Sequence, residues 1–183
     1  MIESLSLIAS LKPEGMLGVV VPHGVLFRGG AEGRIREAML KADIIEAVIG
    51  LAPNLFYGAG IPAAILIMRK SKPQARKGKV RVIDGDATFQ PGKAQNFLTD
   101  ENVKTLAETF HAFADADKLA RVVPVEEIES NGCNLNISRY VQIEAEIEAV
   151  DVASEIAKLR DLIAERDEAE AAMFEHLKRL SYV

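Results

Sequence analysis

LGVVVPHGVLFRGGAEGRIREAMLKADIIEAVIGLAPNLFYGAGIPAAILIMRK, residues 17–70, sets short apolar runs on either side of one helical segment and one long loop. Leu17–Val21 is unbroken and apolar, and Pro22 and Gly24 close it. Ala31–Ala42 carries Ile35 and Met39 at helical spacing, and Ile44–Ile49 and Ile61–Met68 are the second and third apolar runs. Short runs without polar alternation are strands covered on both faces, as in the central sheet of an α/β protein. The stretch therefore predicts strand, turn, helix, strand, long loop, strand. Gly29-Gly30 frees the backbone ahead of the helix.

On the amino side, Leu5, Ile8 and Leu11 recur at helical spacing, and Lys12-Pro13-Glu14-Gly15 breaks that helix. On the carboxyl side, Val80–Ile83 reads as a strand by its β-branched content, ended by Asp84-Gly85-Asp86. Thr99 is a good N-cap for a helix from Asp100 to about Phe113, with acids in its first turn and Val103, Leu106, Ala107 and Phe110 as one apolar face. Arg121–Val125 predicts a short strand, and Pro124 starts a helical turn through Ile128. From about Ile143 to Leu180 the pattern is helical and acidic. Ile156, Leu159, Ile163, Met173, Leu177 and Leu180 fall on a seven-residue seam that Arg166 and Glu170 interrupt.

The composition is that of a globular protein, with net charge −5 over 183 residues. The acid is concentrated beyond residue 140, where eleven Asp and Glu face five Lys and Arg. No apolar run approaches the ~20 residues needed to cross a membrane. The amino terminus has an acid at Glu3 and no basic region, unlike a secretory signal, so a cytoplasmic setting is expected. Cys133 is the single cysteine, which excludes an internal disulfide and a cysteine-based metal cluster.

The sequence contains no HExxH, GxSxG, P-loop or dinucleotide fingerprint. Three features are candidate sites. The loop Leu51–Gly60 places Asn54, Phe56 and Tyr57 between glycines and a proline. It is either a stacking platform for a flat ligand such as a nucleobase, or a loop with Phe56 buried and Tyr57 at the rim. Pro22 and His23 close the first strand, where ligands of open α/β sheets bind, although a turn histidine explains His23 as well. Arg69, Lys70, Lys72, Arg76 and Lys77, continuing to Lys79 and Arg81 without an acid, are either phosphate contacts or a solvated loop.

Five blocks carry a resemblance: PHGVLFRGGAEGRIREAMLKAD, IIEAVIGLAPNLFYGAGIPAAILIMRK, GKVRVIDGD, QNFLTDENV and NLNISRYV. In this order they resemble the modification subunit of type I restriction–modification systems, an N6-adenine DNA methyltransferase. The resemblance implies an α/β fold with a partial class I, Rossmann-like methyltransferase sheet. Leu17–Val21 would be its fifth strand, Ile44–Ile49 its sixth and Ile61–Met68 an antiparallel seventh lying between them. Residues 1–142 would be the carboxyl-terminal part of the methyltransferase domain, and residues 143–183 a helical arm.

Two family motifs are missing from this sequence: the glycine-containing S-adenosylmethionine motif and the catalytic Asn-Pro-Pro-aromatic tetrapeptide. The chain is expected to be the distal portion of such a subunit, from a truncated gene or a chosen segment, with no catalytic residue or bound cofactor of its own. His23 stands where the family usually has an acid. The resemblance makes Phe56 or Tyr57 the aromatic that stacks on the flipped adenine. It also gives the arm a partner, the specificity subunit, within a complex that includes the restriction subunit and double-stranded DNA. The rival expectation is a non-catalytic interaction module that binds such a partner, or itself, through the arm. Self-association is expected in either case, through the arm or the apolar edge of Leu17–Val21.

Overall fold

The computed structural model describes residues 8–141, 152–180 and 182. The chain divides into two compact units, Met1–Ile143 and Glu144–Val183. In the first, β1 (Met16–Pro22) leads through a 3-10 turn (His23–Leu26) to α1 (Gly30–Lys41), β2 (Ile45–Gly50) and β3 (Ala63–Arg69). Then come β4 (Lys79–Ile83), α2 (Asp100–Ala112), β5 (Ala120–Pro124) and α3 (Val125–Ser130). In the second unit α4 spans Val152–Arg179. Of the expected amino-terminal helix, residues 8–10 are helical, and Leu5 lies outside the described residues, as does the start of the arm at Ile143.

The sheet has five strands in the order β1-β3-β2-β4-β5. β3 runs antiparallel to both β1 and β2 and sits between them. β2 and β4 are parallel, and β5 is antiparallel to β4. The expected sheet of three strands with one reversed is therefore too small, because β4 and β5 continue it and a second strand is reversed. α1 makes the crossover from β1 to β2, which the βαβ arrangement of parallel strands requires.

The expectation that every strand is covered on both faces holds for β2, buried at all six positions, and fails for β1. Met16, Gly18, Val20 and Pro22 are exposed, while Leu17, Val19 and Val21 turn toward the core. β1 is an edge strand, and among the described residues nothing covers its outer face. One core joins Leu26, Met39, Leu40, Val48, Met68 and Ile128 on one side of the sheet. A second gathers Ala47, Ile49, Ile83, Leu106 and Phe110. β2 serves both because successive side chains of a strand point to opposite faces, and its register shifts between Ile45 and Ala47, a bulge that leaves Glu46 as the extra residue.

Thr99 caps α2 as expected, with Asn102 closing the box. Asn102 N donates to Thr99 Oγ1 at 3.2 Å and Thr99 N to Asn102 Oδ1 at 3.0 Å. Thr99→Ala removes the cap and is expected to cost about 1 kcal/mol, seen as a melting temperature lower by about 2–4 °C. The four-residue apolar face of this helix is a correction: Leu106 and Phe110 are buried, but Val103 and Ala107 are exposed. The carboxyl half alone is held down. The Arg81 guanidinium donates to Thr109 O at 3.3 Å and to Ala114 O, and Arg76 Nη2 donates to His111 O at 3.1 Å. Arg76 also lies 4.5 Å from the Phe113 ring centroid, a cation–π contact.

Candidate functional site

β1, β2 and β4 run in one direction, so their carboxyl ends share one end of the sheet with the start of β3. That end is where open α/β sheets bind ligands. The loop from Leu51 to Pro62 spans it. Leu51 and Ala52 are buried and anchor the loop, and Leu51 N donates to Ala63 O at 3.0 Å. Asn54 takes a left-handed backbone at φ 58° and turns the chain outward. Ala59 N donates to Phe56 O at 3.0 Å, closing a tight turn whose left-handed position is Gly58 at φ 72°. Tyr57 is thereby held at the tip with 97% of its surface exposed, and Phe56 is exposed to 41%. Burial of Phe56 beneath the sheet, one of the two expected arrangements, does not occur.

Phe56 and Ala59 line a shallow apolar groove of about 170 Å³ with Val20, Pro22, Ile61 and Pro62. His23 stands beside the groove-lining residue Pro22, its N–H donating to Pro62 O at 3.3 Å and its ring edge-on to Phe27 at 6.0 Å. Asp86, beyond β4, has its carboxyl pushed up by burial and by the neighbouring charge of Asp84, with His23 opposing the shift. Pro22, His23, Asn54, Phe56 and Tyr57 are thus brought to one end of the sheet from two separate segments.

One contributor has no signal in its own neighbourhood of the sequence. Gln90 and Phe97 form a bridge around the Pro91-Gly92 turn, and Asn96 ties this finger to the aromatic loop. Asn96 N donates to Asn54 O at 2.8 Å, Asn96 Nδ2 to Pro53 O at 2.9 Å, and Asn54 Nδ2 to Ala94 O at 3.4 Å. The turn is legible in Pro-Gly, but its docking partner is some forty residues away.

The basic cluster is not part of this site. β3 carries the chain from the aromatic loop to Arg69, and a strand of that length spans roughly 20 Å, so the cluster lies at the opposite end of the sheet. Most of its charge is internally paired. Glu46 accepts from Arg69 Nε and Arg76 Nη1, each at 2.6 Å. Lys72 has a fully buried side chain whose ammonium bonds Asp43 Oδ1 at 2.5 Å and Lys79 O at 2.8 Å. Burial pulls the Lys72 pKa down, against the pull of Asp43. Lys70 donates to Ala9 O and Leu11 O, at 3.4 and 3.3 Å. The expected phosphate contact at Lys72 is corrected on this geometry, and Lys70 and Lys77 are the exposed members of the set. The seam residues Ile156, Leu159, Ile163, Met173 and Leu180 are exposed along α4, and Leu177 is half-buried.

S-adenosylmethionine does not fit the residues present at this end of the sheet. The groove is below the ~300 Å³ of ordinary cofactor pockets. Its lining is apolar, with no charged group to meet the amino acid or ribose end of such a molecule. Among the described residues no group of His, Cys, Asp and Glu can hold a metal ion. No helix among them is long and apolar enough to cross a membrane.

A profile of the N-6 DNA Methylase family matches residues 4–149. The MjaVIII type I restriction enzyme methylase subunit of Methanocaldococcus jannaschii is 38% identical over 91% of this chain and 30% of its own length. The HindI type I methylase subunit of Haemophilus influenzae is 29% identical over 96% of this chain and 42% of its own length. Among solved structures, the type I restriction–modification methyltransferase subunit of Streptococcus thermophilus superposes with a TM-score of 0.66 at 41% identity. It covers 70% of this chain and 27% of that one. The chain therefore spans less than half the length of these relatives. With the profile covering most of it, the chain belongs to the N-6 DNA methylase family.

Proposed function

We propose that these residues form the distal part of a site-specific adenine-N6 DNA methyltransferase subunit of a type I restriction–modification system, acting in the cytoplasm. The observation that carries the reading is the exposed Phe56-Tyr57 turn, latched by Asn96 at the ligand-binding end of the sheet. A flipped adenine needs a flat apolar surface to replace the stacking it loses in the duplex. Tyr57 or Phe56 supplies that surface, and Pro22, His23 and Asn54 form its rim. The donors and acceptors that would orient the adenine amine belong to the Asn-Pro-Pro-aromatic motif, which these residues lack.

The 183 residues alone therefore bind one wall of the substrate and do not transfer a methyl group. S-adenosylmethionine is the methyl donor the family implies, and the residues that hold it are not among these. α4 supplies the contact to a specificity-type subunit, which places the chain beside the restriction subunit and double-stranded DNA. The exposed seam of α4 also favours a second reading, a non-catalytic interaction module.

The test is methylation of adenine-containing duplex DNA with labelled S-adenosylmethionine. The chain alone is expected to give background counts. Mixed with a methylase segment bearing the glycine and Asn-Pro-Pro-aromatic motifs, it is expected to restore them. Tyr57→Ala in the mixture is expected to weaken base capture by about 1–3 kcal/mol, read as a rise in KM for DNA. Methylation by the chain alone would refute the reading, and failure of the mixture would favour the interaction module.

A further inference from the structure

The seam of α4 is broken in a way that is self-complementary. Ile156, Leu159, Ile163, Met173, Leu177 and Leu180 lie on one line at alternating steps of three and four, and Arg166 and Glu170 occupy the two central places of that line. Five of the six apolar residues are 41–66% exposed. The helix is continuous across the break from Val152 to Arg179, and Leu180 N still donates to His176 O at 3.1 Å. A helix of that length is roughly 42 Å long, enough for a coiled-coil pairing.

We infer that α4 pairs with α4 of a second chain, antiparallel, about a two-fold axis at the level of Glu168. Reversal of one helix places Ile156 opposite Leu180 of the other chain, Leu159 opposite Leu177 and Ile163 opposite Met173. The same operation places Arg166 opposite Glu170. Every apolar residue of the seam meets an apolar one, and both charged layers are ion pairs of opposite sign. A parallel pairing keeps the apolar layers but sets Arg166 on Arg166 and Glu170 on Glu170 at the centre of the interface. Like charges brought together there oppose that arrangement, so the interruption selects orientation. Among the described residues Arg166 bonds only its neighbour Asp167, Nε to Oδ1 at 3.0 Å, an exposed pair that holds the side chain weakly.

The inference rests on α4 being the interaction surface of the proposed function, and it names that surface's partner as a second copy when no specificity-type subunit is present. It does not depend on the adenine reading, and its test does not involve methylation. In the full chain with Cys133→Ser, Ile163→Cys and Met173→Cys are prepared separately, mixed and oxidised. The mixture is expected to give a disulfide-linked dimer of the two variants, and neither variant alone is expected to cross-link. Linkage of Ile163→Cys to itself would show a parallel pair and overturn the inference. Arg166→Glu is expected to weaken self-association by about tenfold, and Arg166→Glu with Glu170→Arg to return it to within about threefold of the parent, in sedimentation equilibrium. A monomer at all concentrations, or a dimer indifferent to these charges, would also overturn it. Far-ultraviolet circular dichroism confirms that each variant keeps its helix content.

Discussion

Glu46→Ala is expected to lower stability by about 3–5 kcal/mol, the largest effect of any single substitution considered. Glu46 is fully buried, in the bulge where β2 changes register. Its two oxygens take Arg69 from β3 and Arg76 from the connection between β3 and β4. The Arg69 and Arg76 side chains are only 23% and 18% exposed. Removing the carboxylate strands two guanidinium ions where water cannot fully solvate them, and breaking one side of a buried pair is far worse than never having built it. The damage spreads because Arg76 also caps α2 through His111 O and lies over Phe113. Glu46→Gln keeps the shape and one acceptor, so it is expected to fall between parent and alanine variant. Urea denaturation with a shared slope separates the three. Variants within 1 kcal/mol of the parent would mean that the pairs contribute little to holding the β3–β4 connection.

Arg36→Ala is expected to be next, at about 3 kcal/mol. Arg36 projects from α1, is 4% exposed, and forms no ion pair among the described residues, although the charge of Glu32 acts on it. Its guanidinium instead donates to three main-chain carbonyls: Cys133 O at 2.6 Å, Val25 O at 2.8 Å and Arg28 O at 3.1 Å. It thus ties the turn after β1 to the loop after α3, where Cys133 sits at φ 54°. Alanine removes the shared donor from three part-buried carbonyls. Arg36→Lys keeps the charge but not the planar fork, so it recovers only part of the loss. A second readout is independent of global unfolding. Cys133 is half-buried, and burial pushes its thiol pKa up. Loosening the loop is expected to speed its reaction with a thiol reagent in native buffer. An unchanged rate would place the Arg36 effect elsewhere than in this loop.

The strands were legible wherever burial was symmetric. Ile45–Gly50 reads as an apolar run and is buried throughout. β1 reads the same way, but apolar composition reports what a strand can be packed against and not what covers it. Its exposed Met16 and Val20 therefore carry no sign in the sequence. The aromatic turn was legible because Gly58 and adjacent aromatics outside an apolar run have few other uses. Its anchor was not, since Asn96 is one polar residue in a polar loop. The basic run misled for a related reason: its counter-charges are Asp43 and a glutamate inside an apolar strand, and Glu46 looks like an interruption until the bulge gives it a place. The two extra strands of the sheet are similar. Val80–Ile83 and Arg121–Val125 read as strands, but nothing local to them states which neighbour they join.

The strand order also sets a schedule during synthesis. β1 finds its ladder partner only in β3, with Pro22 opposite Ala63 and Met16 opposite Arg69. On a ribosome, β1 emerges with α1 and β2 still to come, and it waits roughly 2–8 s for the start of β3 at ordinary elongation rates. For that interval an uncharged, β-prone segment has no mate, the situation in which nascent chains recruit chaperones. Slowing translation between Gly50 and Ala63 would lengthen the wait, so synonymous codon choice within the aromatic loop becomes a determinant of how much of this protein reaches its folded state.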